Sequence, residues 1–125
     1  MGTEELDRGD SVQAQLSNAV VRIMREYTGR GPTRARTVLD DDVVVVLCEE
    51  TLTKGERVLA ESGEGQSVVG MRRSYQQAMR RDLVTAVEKL TERRVRGFMS
   101  DQLVDPDMCA EVFVLEPAVR RLAST

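Results

Sequence analysis

Residues 33–48 read Thr33-Arg34-Ala35-Arg36-Thr37-Val38-Leu39-Asp40-Asp41-Asp42-Val43-Val44-Val45-Val46-Leu47-Cys48. Two β-prone runs flank an acidic triplet whose side chains favour a turn, so the stretch predicts a hairpin of two strands, about 33–39 and 43–48. The first run mixes charged and apolar residues. The second does not alternate: four consecutive valines lead into Leu47 and Cys48, the pattern of a strand covered on both faces, by helices or by another subunit. A lone hairpin is marginal in water, so the fold depends on what its neighbours supply.

Upstream, Val12, Leu16, Val20, Ile23, Met24 and Tyr27 recur at helical spacing and predict an amphipathic helix from Asp10 to Tyr27. Asp10 or Ser11 can cap its open amides, and Gly29, Gly31 and Pro32 end it. Downstream, Thr53-Lys54-Gly55-Glu56 matches a capping box and starts a short helix, interrupted by Gly63-Glu64-Gly65. From about Gln66 to Arg93 a stripe of Val68, Met71, Tyr75, Met79, Leu83, Val87 and Leu90 predicts the longest helix. Val95–Ser100 and Cys109–Leu115 then read as a second strand pair, joined through residues 101–107 and stopped by Pro117.

The two halves look alike. Sliding by 63 places Val20, Val21, Met24 and Tyr27 over Leu83, Val84, Val87 and Leu90; sliding by 68 places Val44–Leu47 over Val112–Leu115, which gives the second hairpin 5 extra residues. Duplication and convergence on similar apolar patterns both account for this. Either way the pattern predicts an α+β domain: a four-stranded, mainly antiparallel sheet from two hairpins, packed by helices, one of them long. Residues 1–125 form a single domain in this reading, with a flexible N-terminus at 1–10 and a short tail at 118–125.

Composition narrows the chemistry. The 125 residues include 18 Lys plus Arg, 21 Asp plus Glu, no His, no Trp, two Tyr and two Phe. No Ser-His or Cys-His pair and no imidazole ligand can be built, so no catalytic residue and no metal site is assigned. Cys48 and Cys109 sit in apolar strands and read as buried, reduced thiols. The acidic N-terminus lacks the features of a signal peptide, and the run Val43–Cys48 is far too short to span a membrane. A cytoplasmic protein with no membrane span is expected, at most peripheral to the inner face of the membrane.

Two segments carry candidate binding chemistry. Gly29, Arg30, Gly31, Arg34 and Arg36 combine flexible backbone with three guanidinium groups able to hold an anion, which suggests a soluble sensor of a small anionic ligand. The run is neither a Walker A motif nor a dinucleotide fingerprint, so no cofactor is assigned; a helix stop followed by a charged edge strand is the simpler explanation of it. Arg72, Arg73, Arg80 and Arg81 make the long helix basic and offer a docking face for RNA, anionic lipid or an acidic partner, or simply a solvated surface. With four aromatics, all in apolar patterns, single-stranded nucleic acid is disfavoured as a partner. Asp40, Asp41 and Asp42, and Asp101, Asp105 and Asp107, read as turn residues rather than cation ligands.

Several of these segments together resemble the MpsC-like family: Ser17–Val21, Tyr27–Pro32, Ala35–Val38, Glu50-Thr51-Leu52-Thr53-Lys54-Gly55-Glu56, Phe98–Asp101, Asp105-Pro106-Asp107 and Val112–Leu115. The resemblance runs from about Leu16 to Pro117. It implies a small component of a bacterial Na⁺-translocating, membrane-potential-generating system whose other parts are linked to inorganic carbon uptake. A non-catalytic accessory or regulatory role beside membrane transport subunits follows from it, and no catalytic residue is carried over. The doubly covered valine strand adds the expectation of a homo-oligomer, a dimer by preference.

Overall fold

The structure, a computed structural model, describes residues 11–118; the stretch 1–10 and all but the first residue of the tail 118–125 lie outside the described residues. Helix α1 (Val12–Thr28) begins where the Ser11 hydroxyl accepts from the Ala14 amide at 3.0 Å. It ends at Gly29, whose φ of +83° is a left-handed conformation that costs glycine little. Strands β1 (Arg34–Asp40) and β2 (Val43–Glu49) form the first hairpin, and β3 (Val95–Val104) and β4 (Asp107–Leu115) the second. Between the hairpins lie α2 (Lys54–Glu61) and α3 (Gly65–Thr91). Both halves of the predicted capping box are present at the start of α2: Thr53 accepts from the Glu56 amide, and Glu56 from the Thr53 amide.

All strand pairings are antiparallel, in the order β1-β2-β4-β3. Leu16, Val20, Ile23 and Met24 of α1 and Met79, Leu83 and Val87 of α3 pack with Val44, Val46 and Cys48 of β2 and Cys109, Phe113 and Leu115 of β4 as one core. The helices therefore cover one face of the sheet. The valine run is buried in alternation, Val44 and Val46 inward, Val43 and Val45 outward. Among the described residues the expected two-sided cover is thus reduced to one side, leaving an apolar outer face. A second difference lies in residues 101–107, read as a connection: β3 continues to Val104 and β4 starts at Asp107, because Gln102 turns inward and finds partners there.

The two halves are related by a pseudo-two-fold between β2 and β4. Thr28 returns its hydroxyl to the Met24 carbonyl and Thr91 to that of Val87, and left-handed residues, Gly29 and Glu92, close both helices. The ladders Arg36↔Leu47 and Met99↔Val112 correspond with offsets of 63 for the first strands and 65 for the second. The second hairpin accordingly carries two additional residues rather than five. A slide of 68 would align inward Val44 with outward Val112; the face-preserving equivalents of Val44, Val46 and Cys48 are Cys109, Glu111 and Phe113.

Candidate functional site

Three loops singled out separately in the sequence meet at one end of the sheet. The segment after α1 reaches the 50–53 segment, where Arg30 Nε donates to the Glu50 carbonyl at 3.2 Å and the Thr33 hydroxyl donates to Glu50 Oε1 at 2.6 Å. From the far side the β3–β4 turn supplies Asp107. Its carboxylate accepts from the Thr51 amide and hydroxyl, each at 2.9 Å, and from the Leu52 amide at 3.1 Å. Gln102 Nε2 adds a bond to the Thr51 hydroxyl at 2.9 Å. Thr51 is fully buried, so these bonds satisfy backbone that water cannot reach. Replacing Asp107 by Ala is expected to cost about 2–3 kcal/mol, read as a lowered urea midpoint. Asp107→Asn, which keeps one acceptor oxygen, should recover part of that loss.

Behind the loops lies a buried charged cluster. Arg72 on α3 donates through Nη2 to the Thr51 carbonyl and stands 3.7 Å from Glu56, both side chains being about 95% enclosed. Beyond it Glu111 is fully buried, and neither carboxylate oxygen has a hydrogen-bond partner. Burial pushes its carboxyl up to about 7, against the opposing influence of Ser100, Cys109 and Arg72. Between Glu111, Arg72, Gln102 and Cys109 lies a cavity of about 10 Å³, the room one water needs. Cys48 and Cys109 are direct cross-strand partners and both free. The Cys109 thiol is held protonated chiefly by its contact with Cys48, then by burial and by nearby Glu111.

The predicted site residues are distributed differently. Arg34 and Arg36 project from the outer side of β1 and border a shallow concavity with Leu47 and Glu49, Arg34 lying 3.8 Å from Glu49. Arg30 does not line it, being turned to Glu50. Gly31 is needed for close approach: a Cβ there would stand 3.1 Å from Val21 Cγ1. On α3, Arg73, Arg80 and Arg81 are exposed; Arg80 lies 5.3 Å from the Phe98 ring centroid and borders, with Arg81 and Arg96, a groove between α3 and β3. Arg72 must be removed from that face. It points inward because Val68, Arg72, Met79 and Leu83 share the buried side of α3. Of the Asp clusters, Asp42 pairs with Arg93 and Asp107 holds the 51–52 backbone. Among the described residues no three potential ligand side chains gather as a metal set.

Reasoning from sequence missed Glu111, although a signal was present. It lies in phase with Cys109, Phe113 and Leu115, the inward residues of β4.

Fold and site define a two-layer α+β protein of two αββ halves, with a buried charged cluster beneath one loop end and an exposed basic helix. The chain belongs to the MpsC family: the model described as "Na⁺-translocating membrane potential-generating system (MpsC)" matches residues 9–117. It is also similar to a Bacillus subtilis (strain 168) protein described as "Uncharacterized protein YbcI", 26% identical over 92 residues, which is 73% of this chain and 74% of that one. No solved structure matches. Among the described residues no helix is long and apolar enough to cross a membrane.

Proposed function

We propose that this chain is a non-catalytic accessory or regulatory component of a Na⁺-translocating, membrane-potential-generating system, serving inorganic carbon uptake from the cytoplasmic side. Family membership over residues 9–117 carries the reading. The exposed guanidinium groups of Arg73, Arg80 and Arg81 support it, since a basic row on an acidic chain provides a local attractive field for an acidic partner surface. The docking face comprises these three residues, with Arg72 holding the helix in place from inside.

The test is co-sedimentation of the purified chain with membranes that contain the transport subunits, compared with membranes that lack them. Retention is expected only on the former and should fall as salt rises. A triple reversal, Arg73→Glu with Arg80→Glu and Arg81→Glu, should weaken it roughly tenfold or more while the far-UV circular dichroism stays unchanged. Equal retention on both membranes, or retention indifferent to the reversal, would count against this assignment.

A further inference from the structure

Among the described residues, the sheet face turned away from α1 and α3 carries the exposed hydrophobics Val38, Val43, Met99 and Leu103. Pairing registers arrange it in rows across the strands β1, β2, β4 and β3. One row is Val38, Val45, Val112 and Met99; the next is Arg36, Leu47, Ala110 and Asp101. Val38 and Met99 are 48% and 57% exposed, and Val43, on the same face, 39%. In these two rows the central strands present only apolar side chains and the charges stand at the edges; in the row beyond, Glu49 of β2 is charged and is paired with Arg34 of its own face.

We propose that a second copy of this chain covers this face, in a two-fold dimer whose axis runs parallel to the strands between the two sheets. Such an axis exchanges the β1 and β3 edges while keeping each row at its own level. Arg36 then faces the partner's Asp101, and symmetry repeats the pair at the other edge. Val38 faces the partner's Met99 in the adjoining row, and the valine columns of β2 and β4 meet their own kind. These two rows are thus complementary to themselves in both polarity and charge, as an isologous interface requires. A purely acidic or purely basic partner would match one edge and oppose the other. Packed sheets lie about 10 Å apart at roughly 30°, an offset that long arginine side chains at the edges can follow. The dimer also restores the second cover that four successive valines call for, and it leaves the basic side of α3 free, so it stands independently of the docking role.

The experiment is sedimentation equilibrium on the full chain at micromolar concentration. A mass twice 14.0 kDa is expected. Arg36→Asp alone and Asp101→Arg alone should each raise the dissociation constant roughly tenfold, because each sets like charges opposite one another. Their combination should return it to within about threefold of the starting value, since the pair is re-formed in reverse. Val112→Glu, with circular dichroism to verify the fold, should give a monomer. A mass of 14.0 kDa throughout overturns the proposal and leaves the face to another partner. A dimer indifferent to the charge reversals and to Val112→Glu overturns it as well, because the contact would then lie elsewhere.

Discussion

Replacing Arg72 by Met should lower the stability of the chain by about 3–5 kcal/mol, the usual cost of removing one partner from a buried ion pair. The reason lies in what the guanidinium touches. Its Nη2 satisfies the carbonyl of Thr51, a residue with no exposed surface, and its charge stands 3.7 Å from Glu56, which is 4% exposed. Met fills similar volume and keeps the stem's packing, so the loss reports charge and hydrogen bonding rather than a cavity. Urea denaturation at neutral pH measures it. Adding Glu56→Gln should return part of the loss, and the resulting double-mutant cycle should show a favourable coupling of about 1–3 kcal/mol between the two positions. If the two substitutions simply add, the pair is not coupled and the loss belongs to the Thr51 contact alone.

Arg72 also marks where the sequence was legible and where it was not. Local chemistry could be read directly: Thr53 and Glu56 close the capping box, Gly29 terminates α1, and the Asp40–Asp42 triplet turns the first hairpin. Each of these depends on residues within a turn of one another. The inward direction of Arg72 depends instead on Thr51 and Glu56, brought to α3 by the path of the intervening chain. The meeting of Arg30, Glu50 and Asp107 is of the same kind, since three loops far apart in sequence are joined by hydrogen bonds that no periodicity announces. Residues 101–107 were obscured for a related reason. Polar Asp101 and Gln102 broke the apolar signal, yet Gln102 bonds to Thr51, Leu103 and Met108 and keeps the strand intact to Val104.

The repeat bears on function as well as fold. A slide of 68 matched hydrophobicity but confused the two faces of the sheet; offsets of 63 and 65 preserve them. Under that correspondence Glu111 occupies the place that Val46 holds in the first half, each with no exposed surface. A carboxylate has thus taken a core valine's position beside Arg72 and a water-sized cavity. Among the described residues a buried acid with no hydrogen-bond partner stands in the second half alone, and the loops differ as well: Asp107 of the second hairpin holds Thr51 and Leu52.

Stability should therefore fall as pH rises through the range where Glu111 ionises, and Glu111→Gln should abolish that fall. The folded carboxyl is raised to about 7 by burial, against an ordinary value of 4.5. Below the lower value both folded and unfolded chains are protonated and no penalty exists. Between the two the unfolded chain releases its proton while the folded chain retains it, so each pH unit draws the equilibrium towards unfolding. Above about 7 the penalty is complete; a shift of that size corresponds to about 3 kcal/mol. The sequence contains no histidine, so no imidazole titrates in the same window to obscure the effect. Melting of the wild-type chain and of Glu111→Gln should coincide near pH 4.5 and diverge by roughly 10 °C at pH 8, with the variant the more stable. Arg72→Met, by withdrawing a charge that favours the ionised carboxylate, should move the midpoint of the wild-type decline to higher pH. Parallel curves for wild type and Glu111→Gln across pH 5–8 would show that the buried carboxyl is ionised in both states throughout.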